Sequence, residues 1–172
     1  LVKASDLPYG RFRDKAVPLD NLCNYNSSDE TIIQVCSLAS ILKSKLLFVT
    51  ASGMVKLVGG SEFDVTRKTV ASTKLADKDE LVCVCQAGSY DQVVLKSADG
   101  YFLKFAMSNI PETKKNALGV KGITLSGTDH IEDVYPLNSS VELKAVFGDK
   151  EIVLNTRVKL TGRGGKGTRL RL

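Results

Sequence analysis

The chain carries a single histidine, His130, in 172 residues. It stands next to Asp129 in a turn-like stretch, so a surface turn residue is expected rather than a general base. No Ser/His/Asp set, paired carboxylates or metal-binding cluster can be assembled around it, and no enzyme activity is expected of this chain. Cysteine is also sparse, at Cys23, Cys36, Cys83 and Cys85. Cys83-Val84-Cys85 finds no second close pair or His-x-His to complete a metal site. The pair lies in the strand-like run Glu80–Cys85, so these thiols are expected as buried, free small hydrophobes in a reducing compartment. No apolar run approaches the roughly 20 residues of a membrane-spanning helix, which excludes that class. No signal peptide is expected either, and the sequence does not open on methionine. A chain opening on Leu1-Val2-Lys3 is expected to be a fragment of a longer protein.

What is present is an ordinary soluble composition, 43% hydrophobic and 25% charged, in a chain long enough to bury a core. The charge is unevenly placed. Residues 157 to 172 hold Arg157, Lys159, Arg163, Lys166, Arg169 and Arg171 with no acid, while the preceding 156 hold 18 basic residues against 19 acidic. Such a tail suits a polyanion partner, or is a solvated terminal run.

The run Leu46-Leu47-Phe48-Val49-Thr50-Ala51-Ser52-Gly53-Met54-Val55-Lys56-Leu57 reads as a hairpin, with glycine at the positive-φ position of the turn. Ser61-Glu62-Phe63 follows. The pattern recurs in Val93 to Phe105 around Gly100, followed by Ser108-Asn109-Ile110. Gly53 and Gly100 are 47 residues apart, as are Ser61 and Ser108, and Asp29, Asp79 and Asp129 fall at steps of 50. A period of this length in a β-rich chain predicts propeller-like blades.

On that repeat the chain divides into a partial first blade at 1–45, a second at 46–92, a third at 93–140 and an abbreviated last unit at 141–172. In the first, Val2-Lys3 corresponds to Val55-Lys56 and Ser5-Asp6-Leu7 to Ser61-Glu62-Phe63. Tyr9–Lys15 is expected as a loop, Val17–Leu22 as a short strand, and β-branched Thr31–Cys36 as another. Residues 37–45 are expected as a strand end and connection. Val70–Leu75 and Glu80–Cys85 supply strands to the second blade, and Gly119–Leu125 and Ile131–Val134 to the third. Val141–Phe147 and Glu151–Leu154 flank Gly148-Asp149 in the last. Lys166-Gly167-Thr168-Arg169-Leu170 aligns with Lys121-Gly122-Ile123-Thr124-Leu125 at an offset of 45, which makes the basic tail the next strand of the repeat.

The sharpest motif is Gly162-Arg163-Gly164-Gly165-Lys166-Gly167. It lacks the phosphate-loop pattern and no helix is expected after it. It offers backbone that can approach a phosphate closely, with Arg163 and Lys166 to neutralise charge. Such contacts favour the sugar–phosphate backbone and tolerate any base sequence. Basic connections recur once per repeat, at Arg11, Arg13 and Lys15, at Arg67 and Lys68, and at Lys114 and Lys115. In a disc of blades they would form a ring suited to a bent duplex, or they are solubilising loop cations.

The phrase Leu47-Phe48-Val49-Thr50-x-x-Gly53-x-Val55-Lys56, with Ser61-Glu62-Phe63, resembles the repeat in the C-terminal domain of bacterial type II topoisomerase A subunits (DNA gyrase and topoisomerase IV). Gly119-Val120-Lys121-Gly122-Ile123-x-Leu125 is similar to a second phrase of that repeat. Arg163-Gly164-Gly165-Lys166-Gly167 resembles most of the gyrase box. Here Thr161-Gly162-Arg163 replaces the family's Gln-Arg-Arg, and the motif stands at the chain's end rather than in a first blade. The resemblance implies an all-β fold, a β-pinwheel of four-stranded blades, here about three blades plus a partial one. Its basic perimeter would bind and bend double-stranded DNA without catalysis of its own. The expected contacts are Arg163, Gly164, Gly165, Lys166, Gly167, Arg169, Arg171, Arg157 and Lys159 in the tail. Lys121, Lys114, Lys115, Arg67, Lys68, Arg11 and Arg13 are expected from the earlier repeats. No cofactor is expected in this domain. In the parent topoisomerase the resemblance implies strand cleavage by a tyrosine of an N-terminal region and hydrolysis of ATP, with magnesium, in a partner B subunit. It also implies a place in the bacterial cytoplasm with the chromosome, and no membrane partner. The rival expectation is a propeller-like protein scaffold whose basic tail meets an acidic partner.

Overall fold

The computed structural model describes residues 1–147 and 149–170. Two hairpins organise it. The first joins β1 (Lys45–Thr50) to β2 (Met54–Gly59), and a 3₁₀ turn at Gly60–Phe63 follows. Its closing strand, β3 (Leu81–Gln86), pairs with β1. The second joins β4 (Gln92–Ser97) to β5 (Tyr101–Ala106), followed by a 3₁₀ turn at Met107–Asn109. Next come β6 (Val120–Lys121) and β7 (Ile131–Leu137), the latter closing onto β4. A last hairpin, β8 (Lys144–Phe147) with β9 (Lys150–Val153), leads into the single turn α2 (Leu154–Arg157), then β10 (Leu160–Thr161) and β11 (Thr168–Arg169). The chain is all-β, as expected.

Each of the first two hairpins turns on glycine. Gly53 has φ 82° and Gly100 φ 80°, and their N–H groups donate to Thr50 O and Ser97 O at 2.9 Å. The aspartates spaced by 50 explain themselves here. Asp79 Oδ1 accepts from the N–H groups of Ser52 and Glu80, both at 2.9 Å. Asp129 Oδ1 accepts from those of Asp99 and His130, both at 3.0 Å. Each carboxylate pins a hairpin turn to the start of its closing strand. Asp29 has no such hairpin and accepts from Asn26 Nδ2 at 2.6 Å instead.

The outer edge of each sheet is supplied from further along the chain. β6 lies beyond β5 in sequence yet pairs with β2, completing the order β3-β1-β2-β6. Likewise β10 and β11 pair with β5, beyond the last hairpin. Successive repeats are therefore stitched together by exchanged strands. They also stack. Leu47, Val49, Val55 and Leu57 pack with Val93, Leu95, Leu103 and Phe105 in one core between the sheets. The opposite face of the first sheet (Leu46, Phe48 and Val58) packs with Phe63 against Leu38 and Ile41. That of the second (Val94 and Phe102) packs on Ala145, Leu154 and Val158. Strands buried on both faces read as unbroken apolar runs, which is why Leu46–Val49 and Val93–Leu95 lack alternation. Each fully buried Leu or Phe is worth about 1.5–3 kcal/mol.

Several expected strands do not form. Val17–Leu22 is loop with a 3₁₀ turn at Leu19–Asn21. Residues 37–45 contain α1 (Leu38–Leu42), capped by Ser37 Oγ accepting from Ser40 N at 3.3 Å. Thr31–Cys36 and Val70–Leu75 carry no ladder, and Ile32, Ile33 and Val35 are exposed. Their β-branched composition is right, but a strand needs an edge. A closing strand pairs with a hairpin's first strand and an outer strand with its second. Among the described residues the N-terminal repeat forms no such hairpin: Leu1-Val2-Lys3, the counterpart of Val55-Lys56, carries no ladder. Gly119–Leu125 shortens to β6, because beyond Lys121 the backbone hydrogen-bonds to the first hairpin turn: the Gly122 N–H donates to Gly53 O at 2.7 Å. Val141–Leu143 also lies outside β8, and Gly148 is outside the described residues. The thiols are less buried than expected, Cys36 being exposed and the others intermediate.

Candidate nucleic-acid interface

The exchanged outer edges repeat each other residue by residue. In the first sheet the chain runs parallel to β2 at Glu112, opposite Leu57, and returns antiparallel with Val120 opposite Val55 and Lys121 opposite Met54. In the second it runs parallel to β5, with Leu160 opposite Lys104 and Thr161 opposite Phe105. It returns with Thr168 opposite Phe102 and Arg169 opposite Tyr101. This register corrects the alignment of Lys166–Leu170 with Lys121–Leu125. Arg169, not Lys166, corresponds to Lys121.

Glycine decides the register. Gly119 has φ 89° and Gly167 φ 76°, and a Cβ there would lie 2.6 Å from Val55 O or Phe102 O respectively. Both glycines let the returning chain pass over a carbonyl of the hairpin strand. Gly122, matched to Gly167 on sequence, serves a different contact, since its Cβ would lie 2.8 Å from Gly53 O.

Between the outgoing and returning segments lie the loops 114–118 and 162–166. Lys115 Nζ donates to Glu62 O at 3.0 Å, and Arg163 Nε donates to Asn109 O at 2.9 Å. Both cations therefore anchor a loop to the 3₁₀ turn after its hairpin. Arg163 also donates through a terminal nitrogen to Lys121 O. The glycine loop then lies along the neighbouring sheet's edge. Gly164 N–H donates to Gly122 O at 2.7 Å and Thr124 N–H to Gly165 O at 2.8 Å, while Thr124 Oγ1 donates to Gly164 O at 2.7 Å. A cavity of about 370 Å³ remains beneath it, lined in part by Phe102, Val158, Lys159 and Arg163.

The expected contact residues sort by what their charges do. Lys121, Lys166 and Arg169 are exposed and make no ion pair among the described residues. Arg157 at the end of α2 and Lys159 before β10 are exposed too. Lys114 pairs with Glu62 at 3.2 Å, and its hydrogen bond holds the Glu62 carboxyl below the usual range. Lys115 and Arg163 are half-buried, Gly164 and Gly167 likewise, and Gly165 is exposed. Arg67 and Lys68 are exposed in the connection after Phe63, where Lys68 O accepts from the Leu1 amino group. Arg11 and Arg13 are exposed in the N-terminal segment, where no ladder gives them the register of the later cations. Arg171 lies outside the described residues. Sequence reasoning missed the carbonyl anchors on Glu62 and Asn109. The 48-residue step from Lys115 to Arg163 was the available signal.

Residues 44–82 and 91–138, just over half the chain, match the family described as DNA gyrase C-terminal domain, beta-propeller. The chain belongs to this family. The DNA gyrase A subunit of Ureaplasma parvum serovar 3 is 28% identical over 96% of the chain, covering 20% of the relative. That of Staphylococcus aureus is also 28% identical, over 96% of the chain and 19% of the relative. This gyrase-family chain thus spans about a fifth of the length of the relatives it matches. Among solved structures, the C-terminal domain of DNA topoisomerase IV superposes with a TM-score of 0.83 at 25% identity, over 96% of this chain and 53% of that one. The E. coli ParC C-terminal domain shares the fold, with a TM-score of 0.68 at 20% identity over 92% of this chain and 67% of that one.

Proposed function

We propose that this gyrase-family domain binds double-stranded DNA along its exchanged outer edges and bends it, as the non-catalytic C-terminal part of a type II topoisomerase. The observation that carries the reading is the shared register of Lys121 and Arg169 on β6 and β11. Each stacked sheet offers an exposed cation at the same place on its rim, with no ion pair among the described residues, and Lys166 adds another at a loop tip. A row of cations at fixed register neutralises successive phosphates without reading base edges, so binding is sequence-tolerant and driven by counterion release. The exposed Gly165 backbone gives a phosphate close approach. In a propeller-like domain successive sheets turn about a common axis, so a duplex that follows the row would curve with them, and the extra contacts would offset the cost of bending.

In the parent enzyme this domain would steer the duplex for strand passage. Cleavage would belong to the N-terminal region of the same polypeptide, and ATP hydrolysis with magnesium to the B subunit, in the bacterial cytoplasm. The test is equilibrium binding to a mixed-sequence duplex of about 40 base pairs at several salt concentrations. Exchanging Lys121 and Arg169 for Ala is expected to weaken every duplex alike and lower the salt slope by about two. Binding only to an acidic protein, and not to DNA at low salt, would replace this reading with a protein scaffold.

A further inference from the structure

The lysine that ends the first hairpin's apolar run is buried. Lys56 is 2% exposed and sits opposite Phe48, on the face that packs Leu46, Val58 and Phe63. Its ammonium lies 5.2 Å from the Phe48 ring centroid. No carboxylate pairs with it among the described residues. Burial pushes its pKa below the ordinary value, and an apolar side chain there would be cheaper for the fold. The second sheet has one. Counting from the turn glycines, Leu103 occupies the place of Lys56, each the third residue after its glycine.

The difference matches a difference between the two rim loops. Loop 162–166 is held from outside, by the backbone bonds of Gly164 and Gly165 to the neighbouring sheet's edge. Loop 114–118 has no such edge among the described residues. It is held from inside: Lys56 Nζ donates to Lys115 O at 2.6 Å and to Ala117 O at 2.7 Å. We propose that Lys56 is a positioning residue for DNA binding, an internal strut that sets the rim loop 114–118, with Lys114, Lys115 and Leu118, against the duplex. This rests on the DNA-binding reading above. Lys56 itself touches no phosphate. An ammonium, with three donors on a flexible stem, spans two carbonyls that no apolar residue could satisfy.

The experiment compares Lys56→Met, Lys56→Arg and Val58→Ala in the intact protein, below all their unfolding temperatures. Val58 shares the buried face but touches neither carbonyl, so its variant controls for lost stability. Hydrogen exchange across 114–118 and affinity for a mixed-sequence duplex are read for each. Lys56→Met is expected to speed exchange in the loop and weaken DNA binding about tenfold, with Lys56→Arg recovering most of both because it keeps the donors. Val58→Ala is expected to lower the unfolding temperature and leave affinity unchanged. Equal affinity of Lys56→Met and the unaltered protein, or equal weakening by Val58→Ala, overturns the strut while DNA binding stands. Failure of the unaltered protein to bind duplex at low salt overturns the DNA reading itself, and the strut's role in DNA binding with it.

Discussion

Lys115 and Arg163 occupy the same place in successive repeats, each donating to the backbone carbonyl two residues into the Ser61-Glu62 or Ser108-Asn109 turn, Glu62 O at 3.0 Å and Asn109 O at 2.9 Å. The arginine of the glycine loop is thus first an anchor. Its second bond, to Lys121 O, clasps one sheet's rim to the next.

Anchoring separates Arg163 from Lys166 in a measurable way. Arg163→Gln removes charged donors from two carbonyls, bonds worth about 1.5–3 kcal/mol each. Amide exchange at Gly164 and Thr124 is expected to quicken at least tenfold. Lys166→Ala is expected to leave those amides protected and lower the salt slope of DNA binding by about one. Unchanged exchange in Arg163→Gln would show that the clasp holds without the arginine.

The rim glycines make a stability prediction. At Gly119 and Gly167 alanine meets both a positive φ and a carbonyl 2.6 Å from its Cβ. At Gly127, with φ 62° and open space around it, only the backbone strain remains, about 1–2 kcal/mol. Thermal unfolding is expected to rank Gly119→Ala and Gly167→Ala as clearly more destabilising than Gly127→Ala. Equal costs would mean that the returning strand can lift off the hairpin freely.

Some of this was legible in the sequence. The turn glycines 47 residues apart locate both hairpins because positive φ is a local demand that the chain answers locally. Asp79 and Asp129 repeat the period too, although the turn residues they hold, Ser52 and Asp99, lie 27 and 30 residues away. Strand partners are not local. Thr31–Cys36 and Val70–Leu75 have strand composition and no edge to join, and nothing in their own residues reports that. The exchange of β6 onto β2 escapes a reading that assigns every strand to the repeat containing it. The offset of 45 paired Gly122 with Gly167 because glycines look alike whichever carbonyl they clear. Lys56 reads as a surface lysine for the same reason: its carbonyl partners lie 59 and 61 residues away.

Acid should loosen the turns. Partial burial works against the Asp79 carboxylate, but the hydrogen bonds it accepts, chiefly from Ser52, outweigh it and hold its pKa below the ordinary carboxylate value. A lowered folded-state pKa contributes stability that is present above the unfolded value and lost as pH falls through the folded one. Unfolding temperature is therefore expected to decline below about pH 4, and less steeply in Asp79→Asn. Asp91, lowered first by its Ser139 hydroxyl bond, adds to the same limb. Identical acid profiles for Asp79→Asn and the unaltered protein would remove Asp79 from it.

The two rim loops differ at the tip, where Leu118, 42% exposed, corresponds to Lys166 by the 48-residue step. Leu118→Lys is expected to add one phosphate contact. Affinity for any duplex should rise at low salt, with a salt slope steeper by about one. No change would mean that loop 114–118 does not face the DNA.

The most direct test of the central claim labels both ends of a duplex of about 40 base pairs and follows energy transfer between them across a salt series. The expected result is salt-sensitive binding with the ends drawn together, and both effects reduced when Lys121 and Arg169 are changed to Ala. Binding that leaves the ends as far apart as in free DNA, or that ignores those two residues, would contradict a curved rim of registered cations.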